Sequence, residues 1–140
     1  MDAIISTAIY SVLGIILMMF GTFLVDLIIP CDFPIEIKKR NVAVGYITAG
    51  SSIGVGIILK SAVMSPIGTQ ISQSFLEGVG STILYSLIGI AFFLLGYLVI
   101  KVANRKYDLN KEIGDGNPAA GLMVMGMFIG LAIVISGVIY

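Results

Sequence analysis

The chain is 140 residues long, 58% hydrophobic and 11% charged, with acidic and basic groups in equal number and a mean hydropathy of +1.07. A soluble domain carries roughly a quarter charged residues, so this composition argues against a water-soluble fold and for a membrane protein. Histidine is absent and Cys31 is the single cysteine, which excludes ordinary His/Cys metal sites, a histidine base and an internal disulfide.

The first apolar stretch, 3–29, exceeds the ~20 helical residues that cross a ~30 Å hydrocarbon layer. Met1-Asp2-Ala3 has no basic residue and no small-residue cleavage site follows the apolar run, so a cleaved leader is not expected. Gly14 and Gly21 mark a candidate packing face, and Asp26 lies near the end of the span. Pro30 stands where a lipoprotein site would need a small residue, so Cys31 reads as a free thiol at the membrane boundary. The loop 30–41 carries Lys38, Lys39 and Arg40, with a turn signal at Pro34. Asn41 closes this loop at the N-cap position of the next span, 42–64.

Span 42–64 holds the G-x-x-x-G pair Gly50 and Gly54, whose small size permits close helix approach in lipid. Thr48, Ser51 and Ser52 make it the most polar span, which suits burial among helices. Lys60, about 6 Å short of its end by helical rise, is a candidate intramembrane cation. Its stem can carry the ammonium to the interface, or it can pair with Glu77. The connection 65–80 spaces Ile67, Ile71, Phe75, Leu76 and Val79 like a short amphipathic surface segment. Span 81–102 follows, with Gly89 and Gly96 on its packing face and Lys101 at its end. A second basic loop, 103–117, contains Arg105, Lys106, Lys111 and the turn Gly114-Asp115-Gly116. Asn117 then caps span 118–140, with Pro118 at the first helical position, where a missing N–H costs nothing. Gly126 and Gly130 repeat the G-x-x-x-G pair, and Tyr107 and Tyr140 sit near span boundaries as interfacial anchors do.

These spans repeat one another. Residues 6–15 match residues 81–90 at six of ten positions, an offset of 75, and Gly21 and Gly96 keep the register. Glu36-Ile37, Asn41, Gly45, Gly50 and Gly54 recur at an offset of 76 as Glu112-Ile113, Asn117, Gly121, Gly126 and Gly130. A duplicated unit of about 75 residues dictates architecture. Each copy holds two spans, an even number, so both copies enter the membrane in the same direction. The expected fold is all-α: an integral membrane four-helix bundle of two like-oriented hairpin repeats, 1–65 and 81–140, joined by the outer segment 65–80. Short Lys/Arg-rich loops stay in the cytoplasm, so loops 30–41 and 103–117 are expected inside and both termini outside. Asp26 and Lys101 occupy equivalent positions with opposite charge, a candidate ion pair between the halves, against simple solvation at the membrane edge.

The signature Asn41-Val42-Ala43-Val44-Gly45, repeated as Asn117-Pro118-Ala119-Ala120-Gly121, resembles that of the YjfL-like family of small prokaryotic inner-membrane proteins. The resemblance spans nearly the whole chain and implies four helices, a plasma-membrane location and a focus on Asn41 and Asn117. It implies no settled chemistry. Val42 against Pro118 leaves the two sites open to being inequivalent.

No phosphate-cradling glycine loop is present, and the basic loops are too short and too mixed with acids for a nucleic-acid surface. They suit anionic lipid headgroups or a cytoplasmic partner. No cofactor and no enzymatic activity are expected. The leading expectation is a protein acting by homo-oligomerisation or as the membrane component of a complex. The alternative is a small channel or transporter, with an anion drawn to the helix N-termini at Asn41 and Asn117.

Overall fold

The computed structural model describes residues 3–65 and 75–140. Every element in it is helical, in the order α1 (Ala3–Ile28), α2 (Phe33–Lys38), α3 (Val42–Met64), α4 (Phe75–Ala103), α5 (Leu109–Gly114) and α6 (Pro118–Ile139). The four long helices, α1, α3, α4 and α6, are each long and apolar enough to cross a membrane. The start of the expected segment 65–80 falls largely outside the described residues. Its last part, from Phe75 on, belongs to α4.

That is one difference from the sequence reading, which began the third span at 81. Glu77, Gly78 and Gly80 look like loop residues, yet α4 runs through them for 29 residues, ~43 Å at helical rise. Glu77 in the first turn and Lys101 in the last bracket the apolar stretch, so the ends of α4 reach beyond the hydrocarbon layer. At Gly78 a Cβ would lie 3.0 Å from the Tyr10 hydroxyl, where α1 crosses.

The second difference is α2 and α5, both read as loop from sequence. Six residues are too few to show a helical period, so hydrophobic patterning cannot find them. Their caps do show. Asp32 and Asp108 each sit before a short helix, and their side chains accept hydrogen bonds from Ile35 N–H, and from Asn110 and Lys111 N–H, respectively.

The core centres on α3, whose buried set runs along its length from Ala43 to Ala62. α3 packs most extensively against α6, and α1 and α4 flank that pair. The α3–α6 approach is very close. A Cβ on Gly121 would fall 2.5 Å from both the Cα and the carbonyl oxygen of Ala43, and one on Gly50 would fall 2.7 Å from the Met125 Cα. Phe93 and Phe128 stack at 4.7 Å between centroids, with Tyr97 tilted against Phe128 at 5.4 Å.

Of the glycines singled out for packing, Gly21, Gly50, Gly54, Gly89 and Gly96 face neighbouring side chains or backbone. Gly14, Gly126 and Gly130 have nothing within 4 Å of a Cβ position. The closest approach to backbone belongs to Gly121, which carries no G-x-x-x-G spacing and stands out in the sequence only through the repeat.

Candidate functional site: two Asn–Glu junctions at one end of the bundle

Each short helix ends in the same turn. In the first, Asn41 N–H donates to the Glu36 carbonyl at 2.9 Å and Arg40 N–H to the Ile37 carbonyl at 3.0 Å. In the second, Asn117 N–H donates to the Glu112 carbonyl at 3.0 Å and Gly116 N–H to the Ile113 carbonyl at 3.1 Å. These paired bonds are the Schellman ending, which requires one residue in the left-handed region. That residue is Gly116 (φ +80°) in one junction and Arg40 (φ +61°) in the other. Glycine takes this conformation freely, whereas an arginine is strained there.

The residue that completes the turn also starts the next long helix. Asn41 Oδ1 accepts from Val44 N–H at 3.2 Å, and Asn117 Oδ1 accepts from Ala119 N–H at 3.0 Å. Their carboxamide nitrogens donate backwards, Asn41 to Glu36 Oε2 at 2.9 Å and Asn117 to Glu112 Oε2 at 2.7 Å. A carboxamide accepts through its oxygen and donates through its nitrogen, whereas an ionised aspartate only accepts and cannot replace it here. Both asparagines are therefore N-caps, and each also clamps the glutamate of the preceding short helix.

The two junctions are not equivalent. Asn41 is buried, at 9% exposure, and its Nδ2 also donates to the carbonyls of Ile113, at 3.0 Å, and Gly114, at 3.4 Å. Asn41 thus bonds the first junction directly to the second and holds both at one end of the bundle. Asn117 is half-buried and makes no such crossing among the described residues.

Glu36 has its carboxyl held below the usual range, first by the Asn41 hydrogen bond and then by Lys39, whose ammonium lies 3.0 Å away. Between the junctions lies an open cavity of about 360 Å³, lined by Glu36, Lys39, Arg40, Asn41, Asp115 and Gly116 among others. Both signs of charge face it. At each helix N-terminus here an asparagine Oδ1 already takes one backbone N–H, with a glutamate beside it.

Cys31 lies half-buried beside α2, and burial, helped by Glu36, Asp26 and Asp32, pushes its thiol up to about 11. Asp26 and Lys101 are both half-buried, and no ion pair joins them within 4.0 Å; Lys39–Glu36 is a near neighbour pair on one short helix instead. Lys60 is exposed at the opposite end, on the groove between α1 and α3. Among the described residues, no three His, Cys, Asp or Glu side chains cluster as a metal site would need.

A repeated Asn–Glu clamp between apolar spans is the feature to compare with other proteins. The Domain of Unknown Function family DUF350 matches residues 1–139. The chain belongs to this family. A UPF0719 transmembrane protein of Aquifex aeolicus is 25% identical over 133 residues, which cover 94% of this chain and 48% of that protein. The UPF0719 transmembrane protein YshE of Bacillus subtilis is 24% identical over 129 residues, 92% of this chain and 88% of that protein. The chain thus spans about half the length of the Aquifex relative. No solved structure matches. These transmembrane relatives support a multi-pass membrane protein, without assigning a reaction.

Asn41 and Asn117 stand out in the sequence, whereas their partners do not. Glu36 and Glu112 recur at the offset of 76, five residues before each asparagine, and that constant spacing was the available signal.

Proposed function

We propose that this chain is a non-enzymatic membrane protein, a duplicated hairpin with like-oriented halves, that acts by assembling with further copies of itself. The carrying observation is the outward face of α6. Gly126 and Gly130 have nothing within 4 Å of a Cβ, whereas their counterparts Gly50 and Gly54 are consumed inside the bundle by Met125 and Phe93. Leu122 and Ile133 are exposed on the same helical face. In lipid, association rests on close backbone approach rather than on hydrophobic drive, and an open small-residue face permits it.

The duplication is supported by the two junctions, which reproduce the same caps, turn and glutamate clamp at one offset. Seven of the eight basic residues lie at or near the junction end, Lys60 alone at the other. That asymmetry supports a topology with the junctions on the cytoplasmic side of a prokaryotic plasma membrane, facing anionic headgroups, and both termini outside. The test is mass in lipid nanodiscs or mild detergent. Wild type should be oligomeric and the G126L/G130L double variant monomeric with helicity unchanged. A monomeric wild type, or an oligomer indifferent to both substitutions, would remove the reading.

A further inference from the structure

The end of the bundle away from the junctions holds a groove apart from the α6 face proposed for assembly. It lies between the first third of α1 and the last third of α3 and is shallow and open, with a volume of about 560 Å³. Leu59, Val63 and Met64 give it an apolar wall, and Lys60, Ser6 and Tyr10 line it as well. The other two hydroxyls of this stretch are spent: Thr7 donates to the Ala3 carbonyl at 2.8 Å and Ser11 to the Thr7 carbonyl at 2.8 Å. Among the described residues Lys60, Ser6 and the Tyr10 hydroxyl have no hydrogen-bond or ion-pair partner; all three residues line the groove, the Tyr10 hydroxyl on the side where α4 passes at Gly78. Tyr10 is held in place edge-on against Phe75, with centroids 5.9 Å apart.

From this arrangement we infer that the groove binds one anionic phospholipid, its phosphate taken by Lys60 with Ser6 and Tyr10, and an acyl chain along Leu59, Val63 and Met64. The depth fits. Lys60 lies about 6 Å inside the end of α3 and Ser6 about 5 Å inside the end of α1, the level of phosphate and ester groups rather than mid-bilayer. A cation here gains more from the phosphate of a net-anionic headgroup than from that of a zwitterionic one, whose own ammonium offsets the charge, and charge-assisted hydrogen bonds are the strong ones. The apolar wall selects a lipid over free phosphate.

Native mass spectrometry of the full chain, released from micelles doped separately with phosphatidylglycerol, phosphatidylcholine or inorganic phosphate, tests this. The wild type should retain one phosphatidylglycerol in preference to phosphatidylcholine. Lys60→Ala should lower that retention by about tenfold, Lys60→Arg should keep it and Tyr10→Phe should weaken it partly. Thermal unfolding of Lys60→Ala without added lipid should match wild type, which separates lost binding from a lost fold. Equal retention by Lys60→Ala, equal retention of both lipids, or capture of inorganic phosphate in place of lipid would each overturn the inference.

Discussion

One chemical change made twice, Gly→Ala at position 121 and at position 126 of α6, should have opposite signs. At Gly121 the new methyl would sit 2.5 Å from the Ala43 Cα and carbonyl oxygen, and 2.9 Å from its carbonyl carbon. These are backbone atoms and cannot rotate away. Carbon pairs rest at about 3.5–4.0 Å, so α3 and α6 must part by about 1 Å, a gap that forfeits roughly a quarter to a half of each contact's attraction. Overpacking of this kind costs about 1–3 kcal/mol, and a rigid helix pair lies at the upper end. A loss of about 3 kcal/mol shifts the folded-to-unfolded ratio roughly a hundredfold. At Gly126 the methyl meets nothing within 4 Å in the same copy, so in detergent dilute enough to keep the copies apart only helix propensity changes, a gain of up to ~1 kcal/mol. Reversible unfolding in mixed micelles by added dodecyl sulfate, followed by circular dichroism, reads both. Wild-type stability for G121A, or equal losses for the two variants, would refute the close α3–α6 approach.

Arg40→Gly removes left-handed strain of about 1–2 kcal/mol and restores some unfolded-chain entropy, so a net gain of about 0.5–1 kcal/mol should appear in the same assay. Asn41→Leu strips the Glu36 carboxylate and the Ile113 carbonyl of a buried donor and should cost about 3 kcal/mol. Asn117→Leu, at a half-buried cap, should cost about 1 kcal/mol. Glu36 is more acidic folded than unfolded, so its contribution is present above the ordinary value of 4.5 and is lost as pH falls below it. Unfolding midpoints from pH 6 to pH 3 should fall for wild type and flatten in Asn41→Leu, which lacks the hydrogen bond. The Cys31 thiol, at about 11, should be roughly one part in a thousand thiolate at pH 8, and its maleimide labelling should rise about tenfold per pH unit up to pH 10.

Element existence was readable wherever long apolar runs carry the signal. Span 42–64 coincides with α3, and spans 3–29 and 118–140 each run one residue past α1 and α6. The short helices were not readable, because their information lies in Asp32 and Asp108 as caps and not in any period. Glycine spacing showed which residues are small, but not which face turns inward. Gly50 and Gly126 are equivalent in sequence, yet one meets Met125 and the other faces open space, because α3 is central and α6 peripheral. Equivalent position likewise suggested Asp26 with Lys101, whereas the bond that crosses between the halves runs from Asn41 to the backbone of α5. A side chain's reach to a carbonyl leaves no trace in composition or spacing.

The arrangement of the halves across the bilayer is best tested with single cysteines in a Cys31→Ala chain, placed at Lys39, Lys111 and Tyr140, all exposed. A membrane-impermeant maleimide should label Lys39→Cys and Lys111→Cys in vesicles of one orientation and Tyr140→Cys only in the other. Labelling of the Lys39 and Lys111 positions from opposite sides would contradict two hairpins that enter the membrane the same way.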